Sequence, residues 1–100
     1  MKLFHSTTPE AAAAILKEGF RDTTGQYLTT ESFTGVWFSD VPLDEGEGAK
    51  GNELLAIEAP DARLAEWEWI EEGKPYREFL LPADVANRFG PPVMVDRYGL

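Results

Sequence analysis

Apolar and polar positions alternate with a period of two at several places along the chain and shift early to a helical period. Lys2 to Ser6 reads as a short buried strand with Leu3 and Phe4 as its apolar members. Thr8 followed by Pro9 marks a helix start, a hydroxyl at the N-cap and a proline at N1, where its missing N–H is not needed. Ala11 to Glu18 are mostly strong helix formers, and Ala12, Ile15, Leu16 and Gly19 fall on one helical face. Gly19 is placed to end the helix in a left-handed conformation. Arg21 to Thr34 is polar and reads as loop around a short strand near Tyr27–Thr29. Gly35 to Asp40 is a strand of bulky residues ending at a turn. Asp44 to Gly51 is a glycine-rich acidic loop.

Glu53 to Ala59 forms the next strand, halted by Pro60. In Leu64 to Ile70, Glu66 and Glu68 alternate with Trp67 and Trp69, the pattern of a half-buried strand. A helical turn near Ala62–Ala65 is the alternative for its start. Gly73-Lys74-Pro75 is a turn, Tyr76 to Leu81 a strand, and Pro82 opens a short helix over Ala83–Asn87. Val93 to Val95 closes the series as a final strand. Several strands with one early helix predict an α+β domain with a mostly antiparallel sheet, and residues 1–100 read as a single domain.

Composition narrows the function classes. The chain has 100 residues, 43% of them hydrophobic and 12% aromatic, enough for a packed core. It carries 18 acidic and 9 basic side chains, a net charge of −9, which repels phosphate backbones and argues against a nucleic-acid partner. It has no cysteine, which excludes disulfides, zinc–thiolate sites and a thiol nucleophile and fits a cytoplasmic protein. No apolar run reaches the ~18 residues of a membrane helix, and the start, MKLFHSTTPE, lacks the long apolar stretch of a signal peptide. One histidine and no EF-hand spacing give no metal motif. The glycine-rich acidic loop lacks the strand–loop–helix context of a phosphate loop.

Three places could carry chemistry. His5, the one histidine, stands at a strand end just before the helix, where a ring nitrogen can point into a cleft; the plain alternative is a satisfied structural histidine. Trp37 can stack on a planar heterocycle, and Ser39 beside it can hydrogen-bond an amide; the alternative is a core aromatic. Glu78 shares its strand face with Tyr76 and Leu80, an unusual place for a carboxylate; the alternative is an edge charge paired to Arg77 or Lys74.

Taken in order, these segments resemble the catalytic domains of the ADP-ribosyltransferase superfamily, the diphtheria-toxin and poly(ADP-ribose) polymerase type. His5-Ser6-Thr7-Thr8-Pro9 with Ala12, Ile15, Leu16 and Gly19 is similar to that family's His-Gly-Ser/Thr opening and following helix. Gly35-Val36-Trp37-Phe38-Ser39-Asp40 is similar to its Gly-Ile-Tyr-Phe-Ala-Asp, and Tyr76-Arg77-Glu78-Phe79-Leu80-Leu81 to its Asn-Glu-Tyr-Ile-Val. The resemblance covers Leu3 to about Asn87. It implies a small split antiparallel sheet with the early helix packed on it, NAD as substrate, no metal, and transfer of one ADP-ribose to a protein or small-molecule acceptor, with NAD hydrolysis or binding without turnover as the alternatives. It also implies the roles. His5 would bond the adenosine ribose, the backbone at Ser6 the nicotinamide amide, and Glu78 the nicotinamide-ribose 2′-hydroxyl. Trp37 would stand beside the nicotinamide.

The chain departs from the pattern in three ways. Ser6 replaces a glycine and Trp37 a tyrosine. The helix that carries a second stacking aromatic after Asp40 is replaced by the acidic loop, leaving Tyr27 or Phe33 to supply that ring. Two other readings share the fold: a catalytically inactive module that binds a protein partner through its acidic face or Trp67 and Trp69, and an RNA 2′-phosphotransferase, which the acidic balance disfavours.

Overall fold

Side-chain alternation along the first strand sorts the whole molecule into two faces. A computed structural model of the chain describes residues 1–26, 32–43, 53–70 and 72–95. Strand β1 (Lys2–Thr7) leads through Thr8 into helix α1 (Pro9–Glu18), followed by β2 (Thr23–Gln26), β3 (Ser32–Ser39) and β4 (Glu53–Glu58). After two 3₁₀ turns, Asp61–Arg63 and Ala65–Trp67, come β5 (Glu68–Trp69), β6 (Glu78–Leu81), helix α2 (Ala83–Arg88) and β7 (Val93–Met94). The strands run in the order β5-β6-β3-β1-β4-β7, every pairing antiparallel, with β2 on the first half of β3. The expected α+β class with an antiparallel sheet and an early helix is what the chain adopts. Among the described residues no helix is long and apolar enough to cross a membrane.

Leu3, Val36, Phe38, Leu55, Ile57, Phe79 and Leu81 point to one face and are buried. Ala12 of α1, Phe20, Leu64, and Ala83, Val85 and Ala86 of α2 cover them, forming the main core. Each fully buried Phe or Leu contributes about 2–3 kcal/mol from lost water contact. The Thr8 hydroxyl accepts from the Ala11 N–H at 3.2 Å and caps α1. Asn87 ties the two helical segments together: its side-chain oxygen accepts from the Phe20 N–H at 2.7 Å, and its amide donates to the Phe20 carbonyl at 2.9 Å.

Four expectations change. Leu16 was placed on the buried face of α1 but is 47% exposed, so the helix packs through Ala12 and Ile15 alone. The alternating stretch Leu64 to Ile70 is strand only at Glu68–Trp69, because Leu64 anchors a 3₁₀ turn in the core. The strand expected from Tyr76 starts at Glu78, after the bend at Pro75, which has no N–H to offer a ladder. Gly19 does have positive φ, but at φ 90° and ψ 174° it is not in the left-handed helical region. The expected strand near Tyr27–Thr29 and the acidic loop Asp44 to Gly51 lie outside the described residues.

Gly35 has φ 151°, and a Cβ there would come within 2.9 Å of the Leu81 carbonyl oxygen and a Leu80 methyl. Gly73 also has positive φ, 85°, but open space around it. Gly35→Ala is therefore expected to destabilise the fold by about 2 kcal/mol or more. Gly73→Ala should lose only the backbone term, about 1 kcal/mol. Urea denaturation of the two variants reads the difference.

Candidate functional site

The register across the middle of the sheet decides which candidates meet. Phe4 of β1 lies opposite Ser39 of β3, and Ser39 opposite Glu78 of β6. Glu78 in turn faces Trp69 of β5, and Trp37 faces Leu80. Residues directly opposite one another in an antiparallel pair project to the same side. Trp37, Ser39, Trp69 and Glu78 therefore share the face turned away from the helices. The Trp37 and Trp69 rings meet edge to face at 5.6 Å, and Phe33 meets Trp69 the same way at 4.7 Å. These three aromatics are half-buried and form a platform beside the carboxylate.

Glu78 is only 11% exposed and is ion-paired to Lys74, four residues earlier and 22% exposed. The Lys74 ammonium also lies 5.4 Å from the centre of the Tyr76 ring. Of the two cations that the sequence offered as partners, Arg77 goes to the other side. Its guanidinium grips both oxygens of Glu68 at 2.9 and 2.8 Å, which holds the Glu68 carboxyl below the usual range.

His5 turns the other way. Its ring packs against Phe20 and Phe38, each at 5.7 Å, on the helix-covered side. Its Nδ1 reaches across to the Trp37 carbonyl at 2.8 Å. A carbonyl only accepts, so Nδ1 carries the proton and Nε2 is the acceptor. Burial lowers the His5 pKa from 6.5, although the bond to Trp37 acts in the opposite direction. The β1–β3 ladder contains the single pair Phe4↔Ser39. Beyond it the His5 ring reaches the Trp37 carbonyl. His5 and Glu78 thus stand two strands apart, about 10 Å by strand spacing, and joined through Trp37, but they do not share one face.

The two serines serve the local backbone. Ser39 is buried, and its hydroxyl donates to the Val41 carbonyl at 2.6 Å, closing the turn after β3. The Ser6 hydroxyl donates to the Leu43 carbonyl at 3.0 Å, drawing the segment after Asp40 over β1 and burying Leu43. The Ser6 side chain thus acts as a tether. Trp69 is the ring that sequence reasoning did not place here; its signal was the alternation of Trp67 and Trp69, read as a surface rather than as a site. Among the described residues no group of acidic, histidine or cysteine side chains is arranged to hold a metal ion.

The buried imidazole makes a prediction. The unfolded chain takes up a proton near pH 6.5, whereas the folded His5 resists it. Stability that is present above about pH 6.5 should be lost as the pH falls below that value. Asp61, held low by the N-terminal ammonium, and Glu68, held low by Arg77, contribute their losses only below about pH 4.5. Melting temperatures from pH 8 to 5 should fall for the native chain and stay flatter for His5→Gln.

The chain matches no protein-family model, and neither a curated protein nor a solved structure is significantly similar to it. The functional reading is accordingly built on the chemistry of the site.

Proposed function

We propose that this chain is an NAD-binding domain of the mono-ADP-ribosyltransferase type, cleaving the nicotinamide–ribose bond and passing ADP-ribose to a protein or small-molecule acceptor. One observation carries the reading. His5, Trp37 and Glu78 stand on three neighbouring strands, with His5 bonded to the Trp37 backbone and Trp37 and Glu78 on one face. The limited pairing of β1 with β3 supports a split sheet of the ADP-ribosyltransferase kind, with the dinucleotide lying across the gap.

In this reading the nicotinamide ring packs on Trp37. The bond from its ring nitrogen to the ribose breaks, and the electron pair leaves with neutral nicotinamide. Positive charge grows on the ribose ring as in glycoside hydrolysis. The Glu78 carboxylate accepts a hydrogen bond from the 2′-hydroxyl and stabilises that charge more than the ground state. An acceptor nucleophile then adds to the ribose carbon and loses its proton. His5, protonated at Nδ1, acts from the helix-covered side by holding the Trp37 backbone in place. The reading asks Glu78 for about 3 kcal/mol, a rate factor of roughly a hundredfold or more.

A second reading, a module that binds a protein partner without catalysis, draws on β5, the last strand in the order among the described residues. There Ile70 is 84% exposed next to Trp69.

Millimolar NAD is expected to raise the melting temperature of the native chain. His5→Ala should weaken that shift. Glu78→Gln, which keeps an acceptor for Lys74, should abolish release of nicotinamide at a stability cost of about 1 kcal/mol. A native chain whose melting temperature is unmoved by NAD would overturn the enzymatic reading.

A further inference from the structure

The Lys74–Glu78 pair is unlike the other ion pairs in the described chain. Arg77–Glu68, Arg88–Asp84 and Arg21–Glu18 each have a partner that is 46% exposed or more, whereas Lys74 and Glu78 are 22% and 11% exposed. Lys74 reaches this place from the bend before β6, where Gly73 takes φ 85° and Pro75 follows. Its ammonium is held by a carboxylate and lies close to the Tyr76 ring, while Trp69 faces Glu78 across the ladder and Trp37 touches Trp69. Acid and aromatic rings together make a setting that favours a cation, and Lys74 supplies one.

We propose that Lys74 is a built-in occupant of a cation site formed by Glu78 and the surrounding rings, and that a ligand carrying a flat organic cation binds by displacing it. The proposal rests on the NAD reading only for the identity of that cation, an N-substituted pyridinium ring. Three consequences follow from charge. Releasing Glu78 from Lys74 costs free energy, so the native chain binds such a cation more weakly than the site alone would. A neutral ring of the same shape cannot take over the ammonium's role against the carboxylate. A lysine on a flexible stem at a bend can swing into water, whereas a carboxylate on a strand cannot follow it.

The test uses tryptophan fluorescence, since Trp69 faces Glu78 and Trp37 touches Trp69 on the same face, with 1-methylnicotinamide as the cationic probe, nicotinamide as the neutral one, and NAD. Lys74→Met is expected to tighten binding of 1-methylnicotinamide by about tenfold or more, the worth of a charge-assisted hydrogen bond. Lys74→Arg should stay close to native, and nicotinamide should not distinguish the variants. A melting curve confirms that each variant is folded, and Lys74→Gln replaces Lys74→Met if the latter is not. Unchanged or weaker binding of the cation by the folded variant overturns the proposal, as does binding by neither protein. If NAD binds the native chain and Lys74→Met does not tighten the cation, the NAD reading stands and the role of Lys74 falls. If the cation binds Lys74→Met tightly and NAD binds neither protein, the cation site stands and the NAD reading falls.

Discussion

The bond from the His5 ring to the Trp37 carbonyl is the joint on which the site depends. A backbone carbonyl in the middle of a sheet needs a donor, and in a continuous ladder the neighbouring strand would supply it. Here the ladder between β1 and β3 is the single pair Phe4↔Ser39, and the imidazole takes up the next carbonyl at 2.8 Å. Phe20 and Phe38 hold the ring at the position where it can do so. The bond sets the tautomer of the histidine and, at the same stroke, the position of the Trp37 backbone. The aromatic platform on the far side of the sheet therefore inherits its placement from a contact made on the near side.

That arrangement divides the labour between the two faces. The helix-covered face is apolar, closed and stabilising: Leu3, Phe38, Phe79 and Leu81 have almost no contact with water. The opposite face carries half-buried aromatics, a buried serine and one nearly buried carboxylate. A carboxylate at such a position is costly unless paired, and the bend before β6 supplies the partner. Arg77, the residue just before β6, does not serve, because its guanidinium goes to Glu68 on the other side.

Much of the fold was legible in the sequence because its signals are local. Thr8-Pro9 marks a helix start by cap chemistry, the halt of β4 before Pro60 by a missing N–H, and Gly35 to Asp40 a strand by its bulk; the first two are found, and the third strand runs over Ser32–Ser39. The stretch Leu64 to Ile70 misled because alternating Glu and Trp suit a strand, while the burial of Leu64 bends the chain into 3₁₀ turns. The site was legible only in part, for a geometric reason. Alternation says which residues share a face within one strand, but not which faces of different strands coincide. That depends on register, and a shift of one residue between β1 and β3 would exchange every side chain between the faces. Trp37 and Glu78 share a face because the observed register puts Ser39 against Glu78. The same register turns His5 to the opposite side of the sheet from the acid it was expected to join.

The near burial of Glu78 also limits what the face can accept. While Lys74 is in place the carboxylate is neutralised, and the platform offers rings but no net charge. Removing the ammonium without a substitute would leave an unpaired carboxylate with little water around it, the most expensive arrangement available to an ionised side chain. A ligand that engages Glu78 must therefore bring its own positive charge or a hydroxyl close enough to donate to it, and a purely apolar guest would bind against Lys74 rather than in its place. In the proposed cation site, selectivity would thus be a property of one ion pair, set by the four-residue spacing from Lys74 to Glu78, rather than of the aromatic rings on the same face.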